Sequence, residues 1–467
     1  MTNTRAIALC GLLALFAIPL SADEPASTPD FGFGIGLGTE TLLDDPTAPF
    51  STTNEYSTWQ TLSFKPDLKL GKFGVGLDLT VHFNIDLSSD SSGVDFYLPD
   101  WVPDRAGMSF LELYLPKIQY LSWGEKGEPL YVKFGSFDDG TLGNGFIMGN
   151  YRNTAFMPAN RFFGAALDID GALFKFPWVG LETFAGNVSR LDLIGARVFV
   201  RPIIGLELPI IKNLQVGATF VADREPNIYD DDETNDAVGP AIVYGADFRL
   251  PVMNNALVSL ITFGDYVLQG DDTRWGGMVG AGGRLLSFLT YGAQLRILGP
   301  DFVPTYFDAQ YDLFRHLKYE ALSAPASGSD ISMGWMASLG TSLLEERIVF
   351  QAAMDGPFAA PPALDGTIAD YPHLRAILRV EEGLLAGFFF DAWYEKYYLG
   401  APDALGGTGN FFEDLINPEN AVIGANINYK TGPAILTLSY SLRYDPSNIA
   451  STNGFVITSS LYSSIQF

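Results

Sequence analysis

The stretch Phe73-Gly74-Val75-Gly76-Leu77-Asp78-Leu79-Thr80-Val81-His82-Phe83-Asn84-Ile85 decides the fold. Successive side chains of a strand point to opposite faces. Phe73, Val75, Leu77, Leu79, Val81, Phe83 and Ile85 therefore share one wholly apolar face, and Gly74, Gly76, Asp78, Thr80, His82 and Asn84 share a polar or small one. A helix would spread both sets around one cylinder, so the period of two predicts a strand. The same alternation recurs at residues 214–220, 289–297, 423–429 and 436–442.

A soluble sandwich also alternates. Two features favour a barrel instead: glycine is common on the polar face, and the connections are alternately short and long. Residues 430–433, 381–384, 342–346, 285–288, 251–255 and 209–213 are short. Residues 445–453, 397–419, 356–370, 300–330, 265–275 and 223–238 are the longer partners between them. No apolar run beyond residue 22 is long enough for a spanning helix, and the other structure that satisfies its backbone in hydrocarbon is a closed barrel. The fold class expected is all-β: a closed antiparallel transmembrane β-barrel of about 20 strands, within a range of about 16–22. Its first strand is expected at residues 31–39, with short periplasmic turns, long extracellular loops and both chain ends in the periplasm.

Residues 1–22 read as a secretory signal peptide: Arg5, an apolar run from Ala6 to Leu20, then Ser21-Ala22. That leaves 23–467 as one barrel domain. Too few residues precede the first strand for a plug or a periplasmic module. Cys10 lies in the apolar run, so the mature chain is expected to lack disulfides, thiolate metal sites and a cysteine nucleophile. The chain carries 54 Asp+Glu against 28 Lys+Arg, which argues against nucleic acid as a partner. It is also 47% hydrophobic. Acidity and hydrophobicity agree if the apolar surface faces lipid while charge sits in loops and a wet interior.

Phe455, Ile457, Leu461, Ile465 and the terminal Phe467 fall on one face of the last strand. This resembles the C-terminal insertion signal of bacterial outer-membrane β-barrels of the porin-like class. The resemblance implies an outer-membrane location, with membrane lipid and the barrel-assembly machinery as partners. Nothing in the sequence sets the oligomeric state.

The ionisable residues read as lumen-facing are Asp78, His82, Glu112, Lys133, Asp168, Asp170, Arg197, Arg201, Asp247, Arg249, Arg296, Arg375, Arg379, Asp391 and Glu395. Arg or Lys facing midplane lipid costs about 2–4 kcal/mol, so this face is expected to be wet. Opposed acidic and basic walls would set up a transverse field across a path for small hydrophilic solutes. Three rival readings are a loop-binding barrel with a closed lumen, a channel for hydrophobic substrates using Phe388, Phe389, Phe390, Trp393 and Tyr394, and a hydrolase built on His82. With only His82, His316 and His373 available and no nucleophile motif beside them, no catalytic residue, metal site or cofactor is expected. Residues 143–150 read as a compact loop rather than a phosphate cradle, residues 311–322 as a short helix, and the acidic run at Asp230, Asp231, Asp232 and Glu233 as solvated loop charge.

Overall fold

The computed structural model describes residues 30–43, 56–86, 93–157, 160–206, 208, 210–228, 239–270, 274–286, 288–323, 331–344, 347–359, 368–444 and 455–466. The expected signal peptide, the acidic run 230–233 and Phe467 lie outside them. In chain order the strands are β1 (Asp30–Leu43), β2 (Tyr56–Leu70), β3 (Phe73–Leu77), β4 (Leu79–Asp86), β5 (Gly93–Phe96), β6 (Ile118–Trp123), β7 (Leu130–Gly135), β8 (Gly164–Asp170), β9 (Val179–Ala185), β10 (Leu193–Val200) and β11 (Gln215–Asp223). The other half comprises β12 (Ala241–Asn254), β13 (Val258–Gln269), β14 (Arg274–Leu285), β15 (Leu289–Leu298), β16 (Ser332–Leu343), β17 (Ile348–Pro357), β18 (His373–Leu385), β19 (Phe388–Lys396), β20 (Ala421–Thr431), β21 (Ala434–Tyr444) and β22 (Phe455–Gln466).

All 22 belong to one antiparallel sheet, and β1 pairs with β22, Gly34 opposite Gln466 and Glu40 opposite Ser460. The wall of the sheet therefore closes on itself. β3 and β4 are two halves of one wall strand, and β5 belongs to an inserted segment, which leaves twenty strands around the wall. No helix among the described residues is long and apolar enough to cross a membrane.

The deciding stretch is one wall strand that changes partner. β3 and β4 face β2 in a single register, Asp67 opposite Gly76 and Phe64 opposite Leu79. On its other side β3 pairs with β6, whereas β4 pairs with β5. Asp78 marks the change, its N–H donating to the Lys117 carbonyl at 2.8 Å. Alternation records which face a residue occupies but not which strand lies beside it.

Burial along this strand is inverted relative to a soluble sheet. Gly74, Gly76, Asp78, Thr80 and His82 are buried, whereas Phe73, Val75, Leu77, Leu79 and Val81 are less so. Ile35, Leu37 (60% exposed), Leu62 and Phe64 extend the outward apolar surface, and Leu436, Leu438, Ile457, Leu461 and Ile465 continue it across the closure. A cylinder that is polar within and apolar without is a transmembrane barrel.

Two expectations are corrected here. Residues 265–275 do not form a longer loop: β13 runs on to Gln269 and β14 resumes at Arg274. Asp265, Gln269 and Arg274 look like loop residues in sequence, but they face the interior, so their polarity does not end the strands. Glu112 is not on a wall strand. It lies in a helix, Phe110–Tyr114, where it completes a capping box with Ser109 and pairs with Arg190 at 2.6 Å.

Candidate functional site

Two loops fill much of the interior. The first, between β7 and β8, turns inward. Thr141 offers its carbonyl to Lys126 Nζ at 2.6 Å, in the turn after β6. Its Gly143-Asn144 tip docks on wall charges: Gly143 N–H donates to Glu182 at 3.0 Å, and Asn144 Nδ2 donates to Asp265 at 3.0 Å. Glycine is favoured at 143, where φ is +58° and an added Cβ would lie 3.0 Å from the Arg197 side chain. The second loop, between β15 and β16, lies against the first through Thr305 N–H to Phe146 O at 2.9 Å and Phe307 N–H to Ile147 O at 3.1 Å. Phe146, Met148 and Tyr151 pack with Phe302, Phe307 and Tyr311 into an apolar core inside the barrel.

The helix Tyr311–Ser323 follows, as residues 311–322 led us to expect. Its Arg315 is buried and forms ion pairs with Asp223 at 2.5 Å and Asp192 at 2.9 Å. Tyr311 donates to Asp223 at 2.6 Å, and Tyr151 donates to Asp312 at 2.8 Å. Three carboxylates thus surround one guanidinium. Burial, with Asp192 alongside, pushes the Asp312 carboxyl up to about 7 in spite of Arg315. Because Asp312 is more basic when docked than when free, docking is fully supported below about pH 4 and weakens as pH rises through about 7. Proteolysis within residues 299–323 is expected to accelerate between pH 5 and 8, and Asp312→Asn is expected to flatten that dependence.

Most of the sequence-derived candidates hold these parts together. Arg197 grips Asp247 through Nε at 2.8 Å and Nη2 at 2.6 Å, and reaches Glu182 at 2.7 Å. Arg249 donates to Asn144 at 3.2 Å. Arg296 pairs with Asp355, which also meets His373 Nδ1 at 3.2 Å. Glu395 takes His373 Nε2 at 2.9 Å and Gln310 Nε2 at 2.8 Å, tying the wall to the second loop. Arg201 pairs with Asp170 at 2.5 Å where β8 and β10 end, so this pair braces that rim of the barrel. Asp168 lies on the inner register of β8 opposite Glu182, and Lys133 Nζ sits over the Phe137 ring at 4.8 Å. His82 is clamped between Asp100 at 2.5 Å and Glu40 at 2.7 Å, so carboxylates engage both ring nitrogens. That geometry leaves neither nitrogen free to activate a hydroxyl.

A cavity of about 560 Å³ remains between the loops and the wall made by β18–β22 and β1–β4. Arg375, Arg379 and Asp391 line it, as does Asp78, which is held by Lys65 at 3.1 Å and by Arg161. The sequence reading missed Arg152, Arg161, Arg443, Lys65 and Glu40, which also line the cavity. Lys65 and Glu40 follow the inward alternation of β2 and β1 and were accessible to it, whereas Arg152 and Arg161 lie in the infolded loop, where no period applies. Arg152, Arg375 and Arg379 make no ion pair or side-chain hydrogen bond with the described residues. The nearby acids are engaged elsewhere, Asp391 by Asn426 at 2.7 Å and Glu395 by His373.

No protein-family model and no curated protein matches this sequence. Solved structures to which it is similar include bacterial outer membrane proteins. The outer membrane protein OpdK from Pseudomonas aeruginosa is 14% identical with a TM-score of 0.34, the match covering 94% of this chain and 99% of that one. OccAB2 from Acinetobacter baumannii is 12% identical with a TM-score of 0.33, covering 94% and 98%. The outer membrane protein OprD from Pseudomonas aeruginosa is 9% identical with a TM-score of 0.30, covering 96% and 95%. The barrel assignment itself rests on the strand pairing and inverted burial described above.

β1 presents glycine to the interior at Gly32 and Gly34, where an added Cβ would meet nothing within 4 Å. Gly34→Trp is accordingly expected to leave the fold intact while lowering conductance; an unchanged conductance would remove this strand from the solute path.

Proposed function

We propose that the protein is an outer-membrane channel for small hydrophilic solutes, with preference for those bearing an anionic group. The observation that carries this reading is the set of three arginines, Arg152, Arg375 and Arg379. They face a polar cavity without a paired carboxylate, in a chain whose formal net charge is −26. An uncompensated guanidinium in a partly desolvated lumen attracts an anion and matches a carboxylate or phosphate with two parallel hydrogen bonds. The acids of the same cavity are engaged: Asp78 is paired with Lys65 and Arg161, and Asp391, across the ladder from Arg379, accepts from Asn426.

A barrel of this width is too wide for its own side chains to fill, which supports a watery path beside the loops. The apolar exterior supports an outer-membrane setting. Ile457, Leu461 and Ile465 form an outward row on β22 that suits recognition by the assembly machinery. The aromatic run that favoured a hydrophobic-substrate channel is divided by its strand. Phe388 faces outward against Tyr429, whereas Trp393 lines the cavity.

Single-channel recording in planar lipid bilayers tests the proposal. Stepwise openings are expected, with a reversal potential on the anion-selective side in a salt gradient. Membrane insertion without openings would favour the loop-binding barrel with a closed lumen.

A further inference from the structure

Two neighbouring periplasmic connections depart from the tight turns found elsewhere. They are residues 171–178, between β8 and β9, and residues 201–214, between β10 and β11. A barrel turn that faces water should be short and polar. These carry Phe174 (69% exposed), Phe176, Trp178, Leu206, Ile210 and Ile211 (49% exposed) on their surfaces. The two connections are joined. Arg201 N–H donates to the Trp178 carbonyl at 2.8 Å, its guanidinium holds the Pro177 carbonyl at 2.9 Å, and Gly205 lies so close to the Trp178 ring that an added Cβ would come within 2.9 Å. They form one platform rather than two loose loops.

The platform is continuous with the lipid-facing wall. Val179 opens β9, Val200 closes β10 opposite Val216 of β11, and all three are exposed on the outer face with Val198. Exposed Lys175 and Lys212 lie among the apolar residues. Aromatic and aliphatic groups interleaved with lysine are the composition of a segment that lies in the headgroup zone, its apolar side in the acyl chains and its ammonium groups at the phosphates. An exposed apolar patch of this kind marks an interaction surface.

We propose that residues 171–178, 201–206, 208 and 210–214 form a membrane foot, seated in the interfacial zone of the inner phospholipid leaflet, with Lys175 and Lys212 at lipid phosphates. The proposal rests on the transmembrane-barrel reading and adds a second, off-axis lipid contact that fixes how this side of the barrel sits.

Site-directed fluorescence tests it. Cys10 is the only cysteine of the chain and lies in the expected signal peptide, so single-cysteine variants of the mature protein can be labelled cleanly. Phe174→Cys and Ile211→Cys carry an environment-sensitive probe, Val198→Cys reports the barrel face, and Ala256→Cys reports a tight periplasmic turn. In phosphatidylethanolamine–phosphatidylglycerol vesicles, the probes at 174 and 211 are expected to be quenched by shallow spin-labelled lipid at least about twofold more than the probe at 256. Iodide should show the reverse order. Iodide quenching at 174 and 211 equal to that at 256, with 198 still shielded, would overturn the foot and point to a periplasmic protein as the occupant. A water-exposed probe at 198 would overturn the barrel reading itself.

Discussion

Replacing Arg152, Arg375 and Arg379 together by glutamine is expected to abolish the channel's anion preference and shift its reversal potential to the cation-selective side. Two unit charges about 8 Å apart interact by roughly 0.5 kcal/mol in water and roughly 2 kcal/mol at the effective dielectric of a protein surface. Three such terms acting on one solute exceed the 1.4 kcal/mol that corresponds to a factor of about ten, so the anion-to-cation permeability ratio should fall at least about tenfold. The barrel should survive the change, because none of the three guanidiniums is bound to a carboxylate. Glu395, across the ladder from Arg375, keeps His373 at 2.9 Å and Gln310 at 2.8 Å. A permeability ratio unchanged in the triple variant, with conductance intact, would remove these residues from the solute path.

The second large effect is expected at Arg315. This residue is 2% exposed and is the cation shared by Asp192, Asp223 and Asp312. Removing one partner of a buried ionic cluster leaves uncompensated charge and costs about 3–5 kcal/mol. In Arg315→Met that cost falls on docking of the second loop rather than on the wall, because β10 and β11 remain paired from Leu193 opposite Asp223 to Val200 opposite Val216. The loop should therefore leave the interior while the barrel stays closed, with larger single-channel conductance and protease cleavage within residues 299–323 as the readouts. Adding Asp223→Asn and Asp192→Asn should restore much of the docking, since it removes the charge that Arg315 neutralised. Conductance and cleavage like those of the wild type in Arg315→Met would show that apolar packing of Phe302, Phe307 and Tyr311 alone holds the loop.

The sequence made the inner and outer faces legible wherever a strand ran long enough to show its period. Arg197, Asp247, Arg296, Arg375, Arg379, Asp391 and Glu395 were found in this way. What alternation could not assign was the partner of each inward group. Arg197 and Arg375 look alike in sequence, yet Arg197 is spent on Asp247 and Glu182 in docking a loop, while Arg375 borders the cavity unpaired. Arg152 was missed because its segment has no regular period, and it reaches the lumen only because the loop folds inward.

The sequence by itself determined a closed antiparallel barrel, since alternation fixes side-chain faces and the rhythm of short and long connections fixes which end of each hairpin is tight. It also determined which face is greasy. Only the tertiary structure decided which wall charges anchor two infolded loops and which border open space. Pairing of charges depends on contacts between segments far apart in the chain, and no local period encodes those distances.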